Sequence, residues 1–120
     1  FIVVAVDLNH ESQALIGEAQ FDLMQKHAVF INIARGSVVD ENALIDALQQ
    51  NKIFAAGLDV YAKEPLQSSA LFELANVVTA PHIGSATVET RKKMVDLAYQ
   101  NLIDALEDRT PRYLVNPKFE

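Results

Sequence analysis

The chain contains no cysteine and no tryptophan, and only four glycines and four prolines among 120 residues. Without thiols there is neither a disulfide framework nor a thiolate metal site, an absence that fits the cytoplasm. The glycines stand at 17, 36, 57 and 84, so no G-x-G-x-x-G occurs and the turn that cradles a dinucleotide pyrophosphate is missing. Positive charge is scarce as well: ten Lys and Arg against sixteen Asp and Glu give a net charge of −6. Such a chain has no basic field for a phosphodiester backbone or an anionic lipid surface, which excludes sequence-independent nucleic-acid binding. No apolar run approaches the roughly 20 residues of a membrane span, and no basic segment precedes an apolar one at the amino end. The chain reads as soluble, with small molecules or protein as partners.

What is present is apolar material in short runs. Half of the residues are hydrophobic, enough for one core and one domain. Phe1 to Val6 is apolar with no initiator methionine and no polar lead-in, so the chain opens inside a strand and is expected to be a piece of a longer protein. Further runs rich in branched residues lie at Val29 to Ile33, Phe54 to Leu58 and Val77 to Ala80. Continuous rather than alternating apolarity marks strands of a parallel sheet. Helical spacing predicts helices over Ala19 to Lys26 and Asp40 to Gln50, with Asp40 as N-cap, and a short turn around Ser69 to Leu74. A last helix from Thr87 to Glu107 carries Met94, Leu97, Ala98, Leu102, Ala105 and Leu106 as one apolar stripe. Strand and helix in alternation predict an open parallel α/β sheet with right-handed crossovers, helices on its faces and a long C-terminal helix.

Parallel strands present their carboxyl ends to one edge, where open α/β sheets bind ligands. The residues after the four strands are Asp7, then Asn32 to Arg35 with Gly36, then Asp59 and Glu64, then Pro81-His82. One imidazole, one guanidinium and several carboxylates are therefore predicted on a single rim, a set able to move a proton on a substrate held by its own negative charge. Taken singly, each has an ordinary alternative: a surface arginine, a hydrogen-bonded histidine, a loop glutamate, an aspartate capping a turn. Arg91, Lys92 and Lys93 read as a solvated helix face, and His10 and His27 have no spacing partner.

Three segments change that balance: "NIARGSVVDENALIDAL" at Asn32 to Leu48, "AAGLDVYAKEP" at Ala55 to Pro65 and "PHIGSATVETRKKM" at Pro81 to Met94. In order and spacing they resemble the signature segments of the D-isomer-specific 2-hydroxyacid dehydrogenases, over nearly the whole chain up to Val115-Asn116-Pro117. Within that family the phrases "GLDVYAKEPL", "NVVTAPHIGSAT" and "NLIDAL" are most similar to glyoxylate/hydroxypyruvate and 2-ketogluconate reductases. The resemblance implies the second half of a Rossmann-type sheet. By that resemblance residues 1–110 are expected to form the C-terminal part of a dinucleotide-binding domain including the last helix, and 111–120 a tail leading back to a substrate domain outside the chain. It further implies hydride transfer between NAD or NADP and a small 2-keto or 2-hydroxy acid, in a homodimeric parent.

By the same resemblance Arg35 matches the arginine that grips the substrate carboxylate, for which a planar fork suits a bidentate pair. His82 matches the general acid that protonates the carbonyl oxygen and takes the proton back in the oxidation direction; imidazole ordinarily titrates near pH 6.5, about 7 being the working range. Glu64 matches the carboxylate that bonds the far ring nitrogen and fixes its tautomer. Asp59 matches the contact to the nicotinamide carboxamide, and Val6, Ile33, Ala34, Arg35, His82 and Gly84 match positions lining the nicotinamide side. One departure stands out: Asp7-Leu8-Asn9 replaces a "PLT"-like phrase, so the loop after the first strand is expected to be looser or to make altered contacts. The alternative from another class is a cofactor-sensing corepressor scaffold of the same fold. Because the pyrophosphate-binding turn is missing, the isolated chain is expected to show no NADH oxidation with any 2-keto acid; measurable turnover by the 120 residues alone contradicts the fragment reading.

Overall fold

The computed structural model of the chain describes residues 1–115; residues 116–120 of the predicted tail, Asn116-Pro117 among them, lie outside the described residues. Two units emerge, Phe1–Gly84 and a second from Ser85 on. The first contains strands β1 (Ile2–Val4), β2 (Val29–Asn32), β3 (Ala55–Leu58) and β4 (Val77–Thr79), with helices α1 (Glu18–Asp22) and α2 (Glu41–Gln49) between them. The sheet is parallel throughout, in the order β1-β2-β3-β4, as the alternation of runs and helices predicts.

Register decides which side chains share a face. Val4 lies beside Asn32, Asn32 beside Leu58 and Leu58 beside Thr79, one row back from Ile2, Phe30, Ala56 and Val77. On this face Phe30, Val4 and Ala56 meet Phe21 of α1 and Leu44, Ala47 and Leu48 of α2 in one buried cluster. The rings of Phe21 and Phe30 meet edge to face, centroids 5.3 Å apart at 73°. Burying one such ring stabilises by up to about 3 kcal/mol, and the edge-on pairing adds about 1 kcal/mol. The opposite face carries Val3 and Val78, 54% and 74% exposed.

Element ends have local causes. Asp40 caps α2 as predicted, its Oδ1 accepting from the Asn42 and Ala43 N–H groups at 3.0 and 3.2 Å. The predicted first strand ran to Val6, but β1 stops at Val4. Its partner β2 ends at Asn32 and the chain turns there, leaving only the Ile33 N–H to reach the Val4 carbonyl at 3.2 Å. α1 starts one residue earlier than predicted and is shorter, closing with i to i+3 bonds from the Leu23 and Met24 N–H groups. The turn near Ser69 is a 3₁₀ helix, Ala70–Glu73. A second 3₁₀ turn over Gly36–Val38, not predicted, follows Arg35.

In the second unit α3 spans Val88–Leu106, capped by Thr87, whose Oγ1 accepts the Thr90 N–H at 3.2 Å. Its apolar stripe, with Met94, Leu97, Leu102 and Leu106, is exposed, and so are Arg91, Lys92 and Lys93. Among the described residues no helix is long and apolar enough to cross a membrane.

Gly36 is required by close approach rather than by its dihedrals. A Cβ there would overlap the Tyr61 carbonyl and the Ala62 nitrogen, backbone atoms that cannot swing aside. Gly36→Ala should therefore destabilise the chain by roughly 3 kcal/mol, as overpacking does, measured by urea unfolding; a change below about 0.5 kcal/mol, the range of a neutral surface site, contradicts this packing.

Candidate active site

Beyond β2, β3 and β4 the chain is bound to itself through side chains that leave one strand end and reach the next. Asn32, the last residue of β2 and 2% exposed, accepts the Ala34 N–H on Oδ1 at 3.0 Å and donates from Nδ2 to the Arg35 carbonyl at 3.1 Å. Arg35 itself is exposed, and its Nη1 donates to the Ala34 carbonyl at 2.7 Å. Val6, Ile33, Ala34 and Arg35, with Ala5, Asp7 and Leu8, line a groove of about 490 Å³. Val6 and Ile33 present exposed apolar surface there.

After β3, Asp59 spends both carboxylate oxygens on the turn that follows β4. Oδ1 accepts the Ile83 N–H and Oδ2 the Gly84 N–H, each at 2.8 Å. Tyr61 donates from its hydroxyl to the Ala80 carbonyl at 2.8 Å, with the Leu58 carbonyl 3.1 Å away. Burial pushes the phenol's pKa up, so it remains a neutral donor. These bonds grip the backbone on either side of His82, which adopts a left-handed φ of 53°, a conformation that costs a histidine about 1 kcal/mol and needs support from its surroundings.

His82 Nδ1 lies 2.6 Å from Glu64 Oε2, and the other Glu64 oxygen accepts the Tyr61 N–H at 3.0 Å. The Glu64 loop is held in turn by Glu41, whose Oε2 accepts the Ala62 N–H at 3.1 Å. The His82 ring beside it holds the Glu64 carboxyl below the ordinary carboxylate range; the Tyr61 N–H adds to this, and the Arg35 charge contributes a smaller pull. An ionised Glu64 can only accept, so Nδ1 carries the proton in the pair and Nε2 is left for other work. Glu64 and His82 line a cavity of about 490 Å³ whose walls include Tyr61, Leu66, Phe72 and Pro81.

The predicted residues thus fall into joined groups. Val6, Ile33, Ala34 and Arg35 share the groove, Glu64 and His82 are in direct contact, and Asp59 ties Gly84 to the same turn. Among the described residues Arg35 makes no direct hydrogen bond to Glu64 or His82; its charge alone reaches the carboxylate. Two supports were not anticipated as such: the Asn32 amide and the Tyr61 hydroxyl. The signal for Asn32 was present, since an amide ending an apolar strand must find partners when buried. Tyr61 in an apolar stretch gave no sign that its hydroxyl would join two strand ends. The loop at Asp7 is tied rather than loose: Asn9 Oδ1 accepts the Glu11 and Ser12 N–H groups at 2.8 and 3.0 Å, and Ser12 Oγ donates to the Asp7 carbonyl at 2.6 Å.

The family model for the D-isomer specific 2-hydroxyacid dehydrogenase, NAD binding domain, matches residues 1–84. The chain belongs to this family. A glyoxylate/hydroxypyruvate reductase B from Salmonella newport (strain SL254) is 52% identical over 119 residues, covering 98% of the chain and 37% of that relative. Among solved structures, the NADPH-dependent glyoxylate/hydroxypyruvate reductase of Sinorhizobium meliloti in complex with NADP and malonate superposes with a TM-score of 0.83 at 38% identity, over 87% of the chain and 33% of its own. D-lactate dehydrogenase with NAD+ from Lactobacillus jensenii gives 0.84 at 30% identity, over 95% and 38%. The sheet is therefore of Rossmann type, and the chain spans 37% of the length of the curated relatives it matches.

Because Glu64 is held below its ordinary value, the pair's contribution to stability is complete above the ordinary glutamate pKa of about 4.3 and is lost as the pH falls through the lowered folded-state value. Urea unfolding of Glu64→Gln beside the parent chain, from about pH 6 to pH 3, should show a gap of no more than about 1 kcal/mol, for a pair so accessible to solvent, that closes on the acid side. A gap that widens on acidification contradicts the pairing.

Proposed function

We propose that this chain is the C-terminal part of the dinucleotide-binding domain, residues 1–110 with the tail from 111 leading to a substrate domain elsewhere, of a homodimeric cytoplasmic NAD(P)-dependent reductase for small 2-keto acids such as glyoxylate, hydroxypyruvate or 2-ketogluconate. The observation that carries the reading is the 2.6 Å contact between His82 Nδ1 and Glu64 Oε2 on the edge of the sheet that also bears Arg35. Reductases of the first two acids stand among the chain's relatives.

The groove beside Arg35 fits the nicotinamide end of a dinucleotide. Its wall is apolar at Val6 and Ile33, backbone at Ala34, and flanked by the charges of Arg35 and Asp7, so a flat ring can lie on its apolar part. When bound, the dinucleotide supplies the hydride. Asp59, tied to Gly84 after the neighbouring strand, serves the carboxamide with the lone pairs its two turn bonds leave over. NAD and NADP differ on the adenosine side, outside these residues.

Arg35 pairs with the substrate carboxylate and orients the keto group; its remaining N–H donors form a planar fork that a lysine cannot reproduce. His82 delivers the Nε2 proton to the carbonyl oxygen as that oxygen gains negative charge, and in the oxidation direction removes it. Glu64 holds Nδ1–H, fixing the tautomer, and its negative charge stabilises the ring while it is an imidazolium. No covalent bond to the protein forms.

In the full-length protein, His82→Ala should lower kcat by about 10²- to 10⁴-fold with cofactor affinity within twofold of the parent, about 0.4 kcal/mol. Arg35→Lys should act chiefly by raising the keto-acid KM. Steady-state kinetics with glyoxylate, hydroxypyruvate and 2-ketogluconate test both; retention of parental kcat/KM in the two variants, or no turnover of any 2-keto acid by the parent, sinks the assignment, the latter favouring a cofactor-sensing scaffold.

A further inference from the structure

We propose that Asn32 is the positioning residue for Arg35: its buried carboxamide locks the turn on which the guanidinium is carried. The inference rests on the reading of Arg35 as the group that holds the substrate carboxylate. It assigns the precision of that grip to a residue that never meets the substrate.

Arg35 has nothing in its own backbone to aim it. Its φ of −142° and ψ of 148° lie in the broad extended region, where neighbouring conformations cost little. The side chain is long, exposed and flexible, and a loose guanidinium loses much of its value for a bidentate pair. Orientation must therefore come from hydrogen bonds. Asn32 supplies them to the main chain on both sides of the residue, taking the Ala34 N–H at 3.0 Å and giving to the Arg35 carbonyl at 3.1 Å. The guanidinium completes the set through Nη1 to the Ala34 carbonyl at 2.7 Å. Ala34 is thus held at its N–H by Asn32 and at its carbonyl by Arg35, while the Asn32 carbonyl accepts the Asp59 N–H at 3.1 Å and ties the turn to the end of β3.

Only a carboxamide meets both demands at this place. The position is 2% exposed, on the sheet face shared with Val4 and Leu58. An aliphatic side chain would leave the Ala34 N–H unpaired and the Arg35 carbonyl held by the Val38 N–H alone, at 3.2 Å, and an aspartate would set a carboxylate oxygen against the Arg35 carbonyl. Serine keeps an acceptor for the N–H two residues on, in the smaller form of the same turn, but cannot reach the carbonyl as well.

The test is a double-mutant cycle on the keto-acid KM in the full-length protein, using Asn32→Ser and Asn32→Asp, each alone and combined with Arg35→Ala. Either folded Asn32 variant, with cooperative thermal unfolding, is enough to complete the cycle. Alone, it should raise the keto-acid KM by roughly tenfold, the equivalent of one buried hydrogen bond, with kcat lowered less. In the Arg35→Ala background the same change should leave KM within about twofold, because the group through which Asn32 acts is gone. Full multiplication of the two effects, or a parental KM in folded Asn32 variants while Arg35→Ala raises it, overturns the inference. A parental KM in Arg35→Ala itself instead overturns the reading of Arg35, and the inference falls with it.

Discussion

The register that sets Asn32 beside Leu58 and Leu58 beside Thr79 determines what can meet at the rim of this sheet. Three chains leave the sheet in step, so the residues following each strand lie within a side chain's length of the next. Asn32 binds the turn after its own strand, Asp59 crosses from β3 to the turn after β4, and Tyr61 follows the same direction. A slip of one residue in any pair would exchange the two faces of that strand. It would carry the Asn32 amide out of the buried row and the Phe30 ring away from Phe21.

What the rim achieves is mostly restraint. His82 has a left-handed backbone among these strand ends, and four side-chain bonds bear on its surroundings: two N–H groups to Asp59, the Tyr61 hydroxyl to Ala80, and Glu64 to the ring itself. Asp59, which makes two of the four, is short and close to its backbone, so it loses little rotamer freedom compared with the long side chain of Arg35. The charges follow the same economy of motion. Glu64 is kept ionised by the His82 ring, by the Tyr61 N–H and by the field of Arg35, and an ionised Glu64 leaves Nδ1 a single role.

Much of this could be read from residue types and spacing. Four apolar runs gave the four parallel strands, Asp40 gave its cap, and the strand-end positions named Arg35, Asp59, Glu64 and His82. The segments around these residues pointed to the family whose model matches residues 1–84. The details that escaped depend on partners distant in sequence. β1 stops at Val4 because β2 turns at Asn32, which the apolar run to Val6 cannot reveal. Gly36 is needed to let the Tyr61-Ala62 peptide, some 25 residues on, approach. The Asp7-Leu8-Asn9 loop, expected to be looser without proline or to make altered contacts, is closed by contacts of Asn9 and Ser12. Side-chain to main-chain bonds across a loop have no periodicity to betray them.

An ionised Glu64 fixes His82 with its proton on Nδ1 and leaves Nε2 available for the proposed proton transfer. Nitrogen-15 NMR of the imidazole in the full-length protein measures this directly. The account predicts that the neutral His82 ring shows a protonated Nδ1 and a bare Nε2, and that Glu64→Gln disturbs this preference. A neutral ring with its proton on Nε2 and an unprotonated Nδ1 would contradict it.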